Sequence, residues 1–204
     1  MLVSSTISLK QLENALDGGD IATVILYETA AAQNDFQAYC SEIVPLVQNH
    51  DVAAIVADDT QAFGRSSADG LYVQKEKGKL GDLVARFSPQ NIVGCNAGKN
   101  RHSALEAGEC KPDFILFGVP GGDIRPQAHP KNIALAEWWS ELVEIPSIIL
   151  GGNDPESVVE CAATRADFVA LDAAVFSSAR SPGEVVAEVN ELLNRHAPIL
   201  GDDA

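Results

Sequence analysis

Positive charge is scarce in this chain: 14 Lys and Arg stand against 29 Asp and Glu, giving a formal net charge of -15. Nucleic-acid binding draws on Lys and Arg that displace counterions from phosphates, so the expectation is no nucleic-acid partner. Any anionic ligand would need a local positive pocket against a negative surround. Cysteine is sparse too. Cys40, Cys95, Cys110 and Cys161 are widely separated, with no C-x-x-C pair and no His at zinc-ligand spacing, which favours buried, reduced thiols over a zinc site. Between Met1 and Lys10 no basic segment leads into an apolar stretch, and nowhere is an apolar run long enough to span a bilayer. A cytoplasmic protein without membrane contact is expected. No repeat, low-complexity tract or linker divides the 204 residues, so the expectation is a single domain over 1–204, with 46% hydrophobic content supplying one core.

What is present is a regular alternation of short apolar runs with amphipathic stretches. Leu9, Leu12 and Leu16 share a helical face, and Gly18-Gly19 ends it. Strands are expected at Thr23 to Tyr27, Val52 to Ala57, Gly70 to Val73, Asn91 to Cys95, Phe114 to Gly118, Ser147 to Leu150 and Phe168 to Leu171. Helical patterns fall between them at 35–48, 79–87, 101–110, 133–143 and 155–164, and a last one covers 182–195; Pro155 and Pro182 suit a first helical turn. With Leu2-Val3-Ser4 as an eighth strand, the count is that of a closed (β/α)8 TIM barrel. The alternative is an open flavodoxin-like sheet, which usually needs only about five strands. The tail from Gly201 to Ala204 is expected to fray.

In a parallel barrel the functional positions are the strand C-termini and the loops that follow them. Here those places hold Glu28, Asp58, Asp59, Gln74, Lys75, Asn96, Asp123, Arg125, Lys131, Gly151, Gly152 and Asp172. The Gly151-Gly152 pair after an apolar run allows close backbone approach to a phosphate. Asp58 and Asp59 suit Mg²⁺, which takes one or two carboxylates plus phosphate oxygens and water; equally, they suit capping of a helix near Thr60. His102 and His129 are the histidines nearest this rim.

The order of these motifs resembles the thiamine phosphate synthase family, which includes thiazole tautomerase relatives, from about Leu12 to Phe176. The similar segments are Ala53 to Asp58, Ala68-Asp69-Gly70-Leu71-Tyr72-Val73-Gln74, Ile92 to Asn96, Pro112 to Gly118 and Pro146 to Gly152. The resemblance implies a barrel that couples a pyrimidine carried on pyrophosphate to a thiazole phosphate, releasing pyrophosphate with Mg²⁺ assistance. It implies Asp58 as a metal ligand and Gly151-Gly152 as a phosphate contact; with the rim residues this gives Asp58 and Asp59 as the candidate metal ligands, and Gly151, Gly152, Asn96, Lys131, Gln74 and Asp172 as the candidate contacts to a phosphorylated small molecule.

The chain departs from the family pattern where that pattern is most basic. The second strand's Gln-x-Arg-x-Lys has no counterpart between Thr23 and Thr29. Ala57 replaces an Asn, Lys77 or Glu76 falls at the second metal aspartate, and Asp172 takes the place of a phosphate-binding serine. Tautomerase-like proton transfer would put a histidine after Gly118, where this chain has Val119. Two readings follow: a thiamine phosphate synthase-like transferase with reduced or lost activity, and a non-catalytic barrel that binds a phosphorylated thiamine-related metabolite. A homo-oligomer stays open for either.

Overall fold

Alternation of period two along a strand sends every second side chain to one face of the sheet. In the computed structural model, which describes residues 1–30, 35–74, 79–177 and 179–198, this alternation sorts the core into two shells. Strands β1 (Leu2–Ser4), β2 (Thr23–Tyr27), β3 (Ala53–Ala57), β4 (Gly70–Val73), β5 (Ile92–Asn96), β6 (Phe114–Phe117), β7 (Ser147–Leu150) and β8 (Phe168–Ala170) form one sheet in chain order. Each neighbouring pair is parallel. The Leu2 amide donates to the Leu171 carbonyl at 2.9 Å, joining the end of β8 to β1. The sheet is thereby a barrel, and the open-sheet alternative is ruled out.

Helices α1 (Leu9–Leu16), α2 (Phe36–Gln48), α3 (Thr60–Ser66), α4 (Leu80–Phe87), α5 (Arg101–Glu109), α6 (Pro130–Leu142) and α7 (Ser157–Ala163) follow the first seven strands in turn. After β8 come a single turn, α8 (Ala173–Phe176), and then α9 (Pro182–His196). Four residues are too few to show a helical period, so α8 carries no sequence signal. Side chains such as Val24, Leu26, Val56, Val93 and Ile149 face outward and pack under the helices with Leu12, Ile43 and Trp139. Leu2, Ile25, Ile55, Tyr72, Phe114, Leu116, Ile148 and Leu150 point inward and fill the barrel. The rings of Tyr72 and Phe114 lie parallel inside it, with centroids 6.2 Å apart. Gly94 faces the same space, where a Cβ would stand 2.0 Å from the Phe114 ring.

The strands are also tied at their N-terminal ends by a repeated device. Asp69, Asp113 and Asp167 each stand one residue before an even-numbered strand, and each carboxylate accepts a backbone N–H from the strand before it. The donors are Ala54 at 2.8 Å, Val93 at 2.7 Å and Ser147 at 2.7 Å. Gln48 from α2 donates to the Asp69 carboxylate as well, at 3.2 Å.

Two substitutions test this packing. Gly94→Ala should cost about 1 to 3 kcal/mol through overpacking, and Phe114→Leu in the same chain should recover part of the loss. Asp69→Ala, which removes the charged acceptor from Ala54 and Gln48, should cost about 2 kcal/mol. Urea midpoints at unchanged slope measure both, and an unaltered midpoint in either variant would contradict the packing described.

Candidate active site

The C-terminal ends of the strands open into a cavity of about 1200 Å³ whose lining includes Asp58, Asp59, Gln74 and Asp172. Ser4, Tyr27, Glu28, Asp123 and Lys79 line it as well. Among these described lining residues Lys79 is the one cation, against Glu28, Asp58, Asp59, Asp123 and Asp172. Lys75, Glu76 and Lys77 lie outside the described residues, as do Gly201 to Ala204.

Asp58 directly follows β3 with a left-handed backbone, φ 59°. Its amide donates to the Tyr72 carbonyl at 2.8 Å, and its carboxylate accepts the Gln74 amide at 2.7 Å. The ends of β3 and β4 are thus bound to one another through this residue. Asp59 is the N-cap of α3, accepting from the Gln61 and Ala62 amides at 2.8 and 2.9 Å. The capping role open to this pair in the sequence is therefore filled by Asp59. Among the described residues no group of three or more His, Cys, Asp or Glu side chains is placed to hold a metal ion. Two carboxylates on a cavity wall still fit Mg²⁺ when a ligand brings phosphate oxygens, because that ion commonly keeps water and takes few protein ligands.

The remaining sequence candidates are engaged in the fold. The Asn96 side chain donates to the Gly118 carbonyl at 2.5 Å and accepts the Gly98 amide at 2.9 Å, pinning the end of β5 to the turn after β6. The Gly151 amide donates to the Ala170 carbonyl at 3.0 Å, and the Gly152 amide to Ser157 Oγ at 2.9 Å. A Cβ on Gly152 would stand 2.0 Å from the Pro126 carbonyl oxygen, so the loop after β6 crosses directly over this glycine. Lys131 is exposed in the first turn of α6, where its amide donates to His129 Nδ1 at 3.1 Å. His102 is exposed on α5 and pairs with Glu106 at 3.3 Å.

At the end of β8 the chain builds a cluster of its own. The Tyr27 hydroxyl donates to the Asp172 carboxylate at 2.5 Å, across 145 residues of sequence. The Gly121 amide donates to the same carboxylate. Asp123 accepts the Ala173 amide at 2.6 Å and the Asp172 amide as well. Both carboxylates are only 6% exposed. Burial pushes the Asp172 carboxyl up to about 6 and the neighbouring Asp123 charge adds to the rise, while the Tyr27 hydroxyl and the Gly121 amide oppose it. Burial likewise raises Asp123, against the amides it accepts. Tyr27 rises too, by burial first and then through Asp172.

A family model described as thiamine monophosphate synthase matches residues 2–175. The chain belongs to this family. It is 32% identical over 186 residues to the thiamine-phosphate synthase of Rhodospirillum centenum, covering 89% of this chain and 88% of that one. It is 28% identical over 180 residues to the thiamine-phosphate synthase of Erythrobacter litoralis, covering 82% and 81%. The solved thiamine phosphate pyrophosphorylase of Pyrococcus furiosus superposes with a TM-score of 0.77 at 17% identity, over 97% of this chain and 96% of that chain, which supports the barrel fold.

Among the described residues Lys79 is the one basic group lining this mouth, and its far wall carries two buried carboxylates. An ionised carboxylate about 4 Å from a phosphate costs roughly 1 to 4 kcal/mol for effective dielectrics between water and a protein surface. Strand alternation could have singled out Tyr27, since Ile25 and Tyr27 share the inward face. Its pairing with Asp172 had no sequence signal, because the two meet only in the closed barrel.

The Asp172 shift makes stability depend on pH. With its folded value at about 6, above the ordinary 3.8, its contribution to stability is full below about pH 3.8 and is lost as pH rises through about 6. A rise of that size corresponds to about 3 kcal/mol disfavouring the ionised form at neutral pH. Asp172→Asn should therefore gain stability relative to the parent by up to about 3 kcal/mol between roughly pH 4 and pH 8. Denaturant midpoints of both proteins across that range check it; a constant difference would show that Asp172 titrates alike folded and unfolded.

Proposed function

We propose that this protein works in thiamine biosynthesis as a thiamine phosphate synthase-like transferase, joining a pyrimidine carried on pyrophosphate to a thiazole. The observation that carries the reading is the family match over residues 2–175 on a barrel whose strand ends surround one large cavity. In the step envisaged, the bond between the pyrimidine's exocyclic methylene carbon and the pyrophosphate oxygen breaks, and pyrophosphate leaves with the electron pair. The lone pair of the thiazole nitrogen then forms the new carbon–nitrogen bond. Phe36, Tyr27 and Phe176 on the cavity wall supply apolar surface against which flat heterocycles can lie.

Asp58 and Asp59 are the residues that would hold Mg²⁺, which when bound neutralises charge on the departing pyrophosphate. Lys79 stands on the same wall and adds a positive charge. A cytoplasmic setting goes with this reading. It is supported by Cys40 and Cys161, whose burial pushes both thiols up to about 12 and keeps them in the unreactive form. Among the described residues no helix is long and apolar enough to cross a membrane.

Incubation with the pyrimidine pyrophosphate, either thiazole phosphate or the thiazole alcohol, and Mg²⁺, followed by chromatography, should yield coupled product. Asp58→Ala should lower the rate at least about tenfold with the fold intact. Calorimetric titration should find Mg²⁺ binding tightly only when pyrophosphate is present. If a folded parent protein forms no product from either acceptor, the transferase reading is wrong and the non-catalytic barrel takes its place.

A further inference from the structure

At the C-terminal ends of β6, β7 and β8 stand backbone amides, the groups a parallel barrel ordinarily turns toward a phosphate, and those of Gly121, Asp172 and Ala173 belong to residues that line the cavity. In this chain those amides already have acceptors. Gly151 donates to the Ala170 carbonyl and Gly152 to Ser157 Oγ. Ala173 and Asp172 donate to the Asp123 carboxylate, and Gly121 donates to the Asp172 carboxylate. The loop that brings Asp123 is held over the strand ends by two further bonds, from the Asn153 amide to the Arg125 carbonyl at 2.7 Å and from the Asp154 amide to the Pro126 carbonyl at 3.2 Å.

A phosphate arriving here would have to take the Ala173 and Asp172 amides away from Asp123 while lying beside two carboxylates. A hydroxyl group meets neither obstacle. It is neutral, and it can donate a proton to a carboxylate oxygen without displacing any amide, since a carboxylate has room for about four donors. We infer that the acceptor end of this mouth selects a thiazole carrying a free hydroxyl over the same ring as its phosphate ester. Asp123 is the specificity-determining residue, and Asp172, oriented by Tyr27, is the second carboxylate of the pair.

The inference rests on the transferase reading for the identity of the ring. With the alcohol as acceptor the bond changes are those already given. The carbon–oxygen bond to pyrophosphate breaks, the carbon–nitrogen bond forms, and the side-chain hydroxyl keeps its proton, so that the product is thiamine.

Calorimetric titration of the whole protein with the thiazole alcohol and, separately, with its phosphate ester, both with Mg²⁺ and pyrophosphate at one pH and ionic strength, tests the selection. The alcohol should bind at least about tenfold more tightly than the ester, a ratio worth one factor of ten in the equilibrium constant. Asp123→Ser, which releases the two amides and removes a charge, should tighten binding of the ester at least about tenfold. Asp123→Asn keeps the shape and an acceptor oxygen. It decides the matter if the serine variant fails to fold, and should narrow the preference at least about threefold. Equal or tighter binding of the ester by the parent, absence of binding by both, or a ratio unmoved by these substitutions would overturn the inference. Turnover separates it from the reading beneath it. Preferred binding of the alcohol without thiamine formation counts against the transferase alone, whereas thiamine phosphate formed as fast as thiamine counts against the selection alone.

Discussion

The amide of Leu2 donates to the carbonyl of Leu171, and this bond across the seam between the last strand and the first sets where the end of β8 stands. Parallel register is rigid once one face is buried, because a slip of one residue would turn every inward side chain outward. The pairing of Leu2 with Ile25 carries that register from β1 into β2. Tyr27 and Asp172 are thereby brought into contact across the closed mouth. Had the sheet stayed open, the two would lie on distant strands, and the wall they form together would not exist.

The acidic composition takes on a second meaning in this frame. A net charge of -15 suits solubility, yet several of the carboxylates responsible serve the backbone. Asp69, Asp113 and Asp167 take strand amides at the N-terminal end of the barrel, while Asp58, Asp59 and Asp123 take amides at the C-terminal end. A carboxylate accepting an amide satisfies a donor that would otherwise be costly to bury, and such charge-assisted bonds are the stronger kind. At the mouth, the acceptors that steady the loops also occupy amides of residues on the cavity wall. The low basic content and the self-satisfied amides therefore act in the same direction.

Much of the barrel was legible from residue order. Eight apolar runs separated by amphipathic stretches allow few architectures, since a half-buried strand must alternate and a covering helix must repeat near 3.6 residues. The rim could be read for the same reason: in a parallel barrel every strand ends on one side, so Asp58, Gln74 and Asp172 could be assigned to a common mouth. The glycines at 151 and 152 were legible as a place of close approach. What approaches Gly152 is the chain's own loop at Pro126, a fact that depends on the path of a segment without period or pattern.

Residue order by itself thus determined the strand count, the alternation of inward and outward side chains and the side of the barrel on which polar groups gather, because these follow from local periodicity and chain direction. The tertiary structure alone decided which acceptors the rim amides use. Tyr27 with Asp172 and Asp123 with Ala173 are pairs formed between elements far apart in the chain. Hydrogen bonds of that kind need a donor and an acceptor within about 3 Å of each other. Only closure of the sheet and the descent of the loop after β6 bring them that close.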